Sequence, residues 1–135
     1  MDIILIDDDL AEIEVISEII LAKGKKYRLT VINNRTDKAD YLSKLKEIIK
    51  RKDPELIILR DDLSGKSGYD VLSDMKQNFL FPNSIIIMIV SGQNAKGALG
   101  SNQLGIDGFF PKPEDSFEYL ELMNGILSLP ASNYR

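Results

Sequence analysis

The chain has 135 residues, 44% apolar and 28% charged, with 17 basic and 21 acidic side chains and a formal net charge of −4. This is the composition of one ordinary globular domain, able to bury roughly two-thirds of its unfolded surface, and its acidic balance argues against nucleic acid as a partner. Cysteine and histidine are absent, which excludes disulfides, thiolate and Ser-His-Asp nucleophiles, phosphohistidine within this chain, and zinc on sulfur or imidazole. A metal here would be a hard ion on oxygen, such as Mg2+ or Ca2+.

In chain order, the first element is the apolar run Ile3–Ile6. It is followed by a helical stripe of Leu10, Ile13, Ile16 and Ile20, with Gly24 as its stop. Leu29–Ile32 reads as a second strand. Thr36 or Asp37 then caps a helix carrying Leu42, Leu45 and Ile49, whose Lys50-Arg51-Lys52 end suits the helix dipole and which Pro54 limits. Leu56–Leu59 is a third strand and Tyr69–Met75 a third helix. Ile85–Val90 is a fourth strand, followed by a soft helix over Ala95–Leu104 that contains Gly97 and Gly100. Phe109-Phe110 marks a fifth strand. Asp115 or Ser116 caps a last helix through Leu120, Met123 and Leu127 to Pro130.

Several runs are rich in Ile and Val, and the first, third and fourth are nearly continuous, as in parallel strands buried on both faces. Strand and helix alternate five times. The expected fold is α/β, a doubly wound parallel sheet with helices on both faces, with residues 1–129 as the domain and 130–135 as a frayed tail. The start lacks the basic-then-apolar pattern of a signal peptide, and no run approaches the roughly 18 residues of a spanning helix. The expectation is a cytoplasmic protein without a membrane partner.

Ligands of such sheets bind beyond the carboxyl ends of the strands. There the sequence places Asp7-Asp8-Asp9 after strand one, Arg60-Asp61-Asp62 after strand three, Ser91-Gly92 after strand four and Lys112-Pro113 after strand five. Each position alone could be a solvated loop end or a helix cap. Together, acids, a hydroxyl and a lysine converge on one edge.

These residues resemble the receiver domain of two-component response regulators. The resemblance runs from Ile3 to about Leu129. It is carried by the Asp7-Asp8-Asp9 run, by Pro54–Arg60, by Gly68-Tyr-Asp-Val-Leu, by Ile89-Val-Ser91-Gly92 and by Leu104–Pro113. It implies a flavodoxin-like (βα)5 fold with strand order 2-1-3-4-5, and Mg2+ on Asp7 and Asp8. It implies a phosphoryl group bonded by Ser91 and Lys112, a cis Lys112–Pro113 peptide, and Phe109 as the aromatic switch. It also implies a sensor histidine kinase or other signalling protein as partner, with homodimers formed through the fourth helix, fifth strand and fifth helix.

One position departs from the pattern. The family acceptor aspartate lies eight residues before a glycine and four before a proline. Counting back from Gly68 gives Arg60, and the proline position is Ser64. An arginine cannot accept a phosphoryl group. Asp7, Asp8, Arg60 and Lys112 sum to zero charge, so the guanidinium could stand in for Mg2+ by bridging the acidic pair. The expectation is a pseudo-receiver that acts by partner binding, holds Mg2+ weakly and is not an enzyme. The alternative is a phosphoacceptor at Asp61, or less readily Asp62, which would self-phosphorylate from small phosphodonors. In the standard register Asp61 turns away from the site and Asp62 points back to its edge, where it could lend a carboxylate to a metal. A remote alternative is a haloacid dehalogenase-type phosphatase with Asp7 as nucleophile and Asp9 as general acid; the chain has no cap insertion for it. A flavin site fails because the loop after strand one offers three carboxylates to a phosphate.

Overall fold

The computed structural model describes residues 1–33, 41–51, 53–91 and 105–132, with side chains through 129. Five parallel strands form one sheet: β1 (Asp2–Ile6), β2 (Arg28–Ile32), β3 (Leu56–Arg60), β6 (Ile85–Val90) and β7 (Gly108–Pro111). Their order is β2-β1-β3-β6-β7. This is the flavodoxin-like 2-1-3-4-5 order once a small hairpin, β4 (Asp62–Leu63) with β5 (Lys66–Ser67), is set aside. The helices are α1 (Leu10–Ala22), α2 (Tyr41–Ile49), α3 (Gly68–Gln77) and α4 (Ser116–Ser132). The expected helix over Ala95–Leu104, the caps Thr36 and Asp37, and Gly92 lie outside the described residues. So does part of the face expected to dimerise.

Strand alternation divides the core in two. Ile4, Ile6, Ile57, Leu59, Ile86 and Met88 face α2 and α3. Ile3, Leu5, Leu56, Ile58, Ile87 and Ile89 face α1 and α4. Every residue of β3 is buried, and this two-sided burial is why the strand has no polar alternation. Truncating one of these central residues to Ala costs about 2–5 kcal/mol.

Helix faces differ in detail from the sequence expectation. The buried ridge of α1 is Glu12, Ile16 and Ile20, while Leu10 is 60% exposed. That of α2 is Tyr41, Leu45 and Ile48, with Ile49 at the surface. Gly24 does follow the end of α1, with φ +103°. Asp115 caps α4, accepting the N–H of Glu118 at 2.8 Å. The backbone of α4 continues past Pro130 to Ser132, so the tail expected from residue 130 is helical at its start. A proline this near a helix end breaks only one backbone hydrogen bond, and few residues follow it.

Gly68 explains the spacing that placed Arg60. The β4–β5 hairpin, turning through Gly65 at φ +75°, returns the chain onto the end of β3. There Gly68 N–H donates to the Asp61 carbonyl at 2.8 Å. A Cβ on Gly68 would lie 2.0 Å from the Arg60 carbonyl oxygen. Only glycine fits such an approach, so the hairpin length and this contact define where β3 ends.

Candidate functional site

β1 and β3 are hydrogen-bonded neighbours, with Ile6 opposite Leu59. Residues 7–9 and 60–62 therefore leave the sheet side by side. By alternation, Arg60 continues the Leu56–Ile58 row toward α1 and α4. The guanidinium, 9% exposed, meets a carboxylate there: Arg60 Nη1 donates to Glu12 Oε1 at 2.6 Å. Glu12 Oε2 accepts the hydroxyl proton of Tyr119 from α4. Arg60 Nε lies 3.6 Å from Asp61 Oδ1. One buried network thus ties β3 to α1 and α4.

Asp7 joins this network as an acid. Burial pushes its pKa up to about 9, helped by a hydrogen bond to Glu12 and by the charge of that carboxylate. Its Oδ1 accepts the Asp9 N–H at 2.9 Å. Its Oδ2 is buried without a donor, which suits an oxygen that itself carries the proton. Burial also opposes ionisation of Glu12, but the hydrogen bonds from Asp7 and Tyr119 and the charge of Arg60 outweigh it and lower its pKa. Burial works against the charge on Arg60 too, and Glu12 overcomes it, raising the pKa. Burial and the bond to Glu12 push the Tyr119 phenol up. The pair Asp7 and Glu12 therefore holds one proton and one negative charge, which the guanidinium balances.

Arg60 does not bridge Asp7 and Asp8. Asp8 instead accepts the backbone N–H of Ser64. Asp9 caps α1 by accepting the N–H groups of Ala11 and Glu12, and its Oδ2 lies 3.5 Å from Lys112 Nζ. The burial of Asp9 is slight, and the Glu12 N–H and Lys112 lower its pKa. Asp61 is buried and accepts the Ser91 N–H at 3.2 Å, with the Ser91 hydroxyl at 3.4 Å. Asp62 is exposed. It lines an open pocket of about 540 Å³ with Asp8, Asp9, Arg60 and Ser64. Phe109 is partly buried against the core on the α2 and α3 side.

The Lys112–Pro113 peptide is trans, not cis as the resemblance implied, since the described residues contain no cis peptide bond. Trans is the ordinary preference of an X–Pro bond, by about 0.5–1 kcal/mol. In this form Lys112 N–H donates to the Val90 carbonyl at 2.8 Å, while its side chain reaches Asp9.

Sequence reasoning missed Glu12 and Tyr119. The signal was present: a cation ending a fully buried strand requires an anion on the same sheet face. Glu12 sits four residues before Ile16 on the buried ridge of α1. Its place three residues after Asp9 reads as a capping box, which disguises it as a local helix-end residue.

Residues 3–124 match the model of the response regulator receiver domain family. The chain belongs to that family. This receiver domain is 21% identical over 126 residues to the response regulator Rcp1 of Synechocystis, covering 93% of this chain and 86% of that protein. Its fold is similar to the Mn2+-bound form of Rcp1, with TM-score 0.76 and 21% identity over 94% and 91% of the two chains. It is also similar to the phosphorylated cyanobacterial phytochrome response regulator RcpA, with TM-score 0.79 and 17% identity over 99% and 96%. No helix among the described residues is long and apolar enough to cross a membrane.

Asp7, Asp8 and Asp9 are each engaged with a different partner. Among the described residues no three acidic groups gather in a way that could hold a divalent ion. Asp8 is bonded to Ser64, and a guanidinium already lines the pocket.

Proposed function

We propose that this receiver domain signals by binding a partner protein, and that aspartyl phosphorylation at the end of β3 has no part in it. The observation that supports this is Arg60 itself. It ends β3 in the register that Gly68 marks, and its guanidinium is held by Glu12. A phosphoacceptor site gathers three carboxylates whose excess negative charge calls for a metal. Here the cation is covalently part of β3, so Mg2+ binding should be weak. A sensor histidine kinase, or another signalling protein that recognises the same fold, is the expected class of partner.

The second reading keeps phosphorylation and moves the acceptor. Exposure favours Asp62 over Asp61 for that role. Asp62 opens into the pocket beside Asp8, whereas Asp61 is buried against Ser91 and Arg60. The phosphatase reading loses its general acid, because Asp9 is engaged as the α1 cap and with Lys112.

The test is intact-mass spectrometry after incubation with Mg2+ and a small phosphodonor such as acetyl phosphate. Asp61→Ala and Asp62→Ala are run beside the parent. The expected result is no adduct. A base-labile phosphoryl adduct that vanishes in Asp62→Ala or Asp61→Ala would overturn the proposal and make this a working receiver with a displaced acceptor.

A further inference from the structure

The parallel strands all begin at one end of the molecule, opposite the edge that carries Asp7, Asp8, Asp9 and Arg60. The connections α1–β2, α2–β3 and α3–β6 bring basic side chains to that end. They are Lys25 and Lys26 before β2, Lys50 and Arg51 after α2, and Lys76 in the last turn of α3. All are exposed, and among the described residues none of them has an ion-pair partner. Most acids at this end are engaged locally. Asp2 pairs with Arg28 at 2.7 Å, Asp107 accepts the Ile86 N–H at 2.8 Å, and Glu55 lies 3.9 Å from the Met1 amine, while Asp53 is exposed. A lysine at a helix end complements the dipole, which accounts for Lys50 and Lys76 taken singly. It does not account for Lys25 and Lys26, which lie beyond Gly24.

At the same end stands Phe79, 84% exposed. It opens the turn Phe79-Leu80-Phe81, in which Leu80 and Phe81 are buried in the core on the α2 and α3 side. Phe79 and Phe81 both have left-handed backbones, with φ +54° and +52°, a conformation that glycine adopts without strain and phenylalanine does not. The two buried side chains anchor the turn and present the ring at 79 to solvent. A single exposed apolar residue is ordinary. One that projects from a strained, anchored backbone at a basic end of the molecule calls for an apolar environment beside negative charge.

We infer that this end of the domain seats on an anionic membrane surface, with Phe79 entering the headgroup layer and Lys25, Lys26, Lys50, Arg51 and Lys76 over the acidic lipids. The spread of the charges selects a lipid plane over an acidic segment of a protein. They come from three separate connections, and β2 and β6, the strands that follow the outer two, lie three strand spacings apart, roughly 14 Å. Four of the five are lysines, compact charges that act through a field, rather than arginine forks that grip one carboxylate. Basic residues with an apolar anchor are the usual equipment of peripheral membrane contact. The chain's net charge of −4 does not oppose it. The acidic edge lies beyond strands of about five residues, roughly 16 Å away, which exceeds the Debye length of about 8 Å at physiological salt. The sequence expectation of no membrane partner concerned spanning and export segments, which a peripheral contact does not need. The inference is independent of the chemistry at Arg60.

The test is co-sedimentation of the full chain with vesicles of phosphatidylcholine containing about one-third phosphatidylserine, against vesicles of phosphatidylcholine alone. No Mg2+ or phosphodonor is present, so the result is separate from the mass-spectrometric test of acceptor chemistry. Binding to the anionic vesicles should be at least about tenfold tighter and should weaken as salt is raised. Lys25→Gln with Lys26→Gln, both surface changes, should weaken it about thirtyfold. Phe79→Gly should weaken it about fivefold or more while its thermal midpoint stays at or above that of the parent. A purely structural role for Phe79 would not move binding and stability in opposite directions. Equal binding to phosphatidylcholine alone would overturn the inference, as would unchanged binding in the double lysine variant. Capture of a poly-glutamate peptide as tight as that of the anionic vesicles, with no effect of Phe79→Gly on either, would also overturn it, by making this end a site for an acidic protein.

Discussion

Replacing Arg60 with Met removes the guanidinium while keeping most of the aliphatic stem that packs at the end of β3. The Glu12 carboxylate then stays buried beside a protonated Asp7 and the Tyr119 hydroxyl, without its cation. The least costly escape is to take a second proton onto the pair. Starting from the ordinary value of 4.5 for Glu12, protonation costs about 1.36 kcal/mol per pH unit, hence about 3.4 kcal/mol at pH 7 and about 0.7 kcal/mol at pH 5. The first figure agrees with the roughly 3–5 kcal/mol lost when one member of a buried ion pair is removed. It should lower Tm by about 10–15 °C in a domain of this size. Urea unfolding of parent and Arg60→Met at pH 5 and pH 7 measures both losses. Glu12→Gln placed on Arg60→Met should recover most of the deficit at pH 7, giving a coupling energy of about 2 kcal/mol or more. A loss under about 1 kcal/mol at pH 7, a loss independent of pH, or a double variant whose deficit is the sum of the singles would refute the assigned network.

Asp7 makes the opposite pH prediction from an ordinary carboxylate. Its folded pKa of about 9 stands above the ordinary 3.8, so the folded state holds a proton that the unfolded chain has released. Stability linked to Asp7 is therefore full below about pH 4 and falls as pH rises toward 9. Asp7→Asn, which carries a permanent donor, should gain roughly 1–3 kcal/mol over the parent at pH 8 and nothing at pH 4, with parallel urea curves at both pH values refuting it. Phe79 occupies the left-handed position of the turn that ends α3, with φ +54°, where Leu80 N–H reaches the Met75 carbonyl at 2.9 Å and Phe79 N–H the Lys76 carbonyl at 3.2 Å. Because its ring is 84% exposed, Phe79→Gly should give up little packing and raise stability by about 1 kcal/mol in thermal melts. Gly68→Ala, which sets a methyl against the Arg60 carbonyl, should cost at least about 2 kcal/mol, and a near-neutral change by the same assay would show that the hairpin can move away.

Much of the fold was legible because its strands are short, β-branched and buried on both faces, a pattern that helices do not share. The order of elements then left few topologies open. Arg60 stood out because Gly68 lies a constant distance along the chain from it, and that spacing reflects a backbone contact that only glycine allows. The acidic run after β1 was visible, but its division of labour was not. One of three adjacent aspartates caps a helix, one bonds the Ser64 amide, and one keeps its proton because it is buried beside Glu12. Those differences arise from burial and neighbours, which three identical residue types cannot display.

Sequence by itself determined the alternating α/β architecture, the edge where polar residues collect, and the presence of a permanent cation at the end of β3. These follow from local periodicity, from strand ends and from side-chain chemistry. Tertiary structure decided what that cation does. Its counter-ion is Glu12, 48 residues away in the chain, steadied by Tyr119, which is 107 residues from Glu12. Such a pairing depends on which helices pack on which face of the sheet. In a buried site the anion that a guanidinium meets at close range outweighs those nearer in sequence, because Coulomb attraction grows as water is excluded.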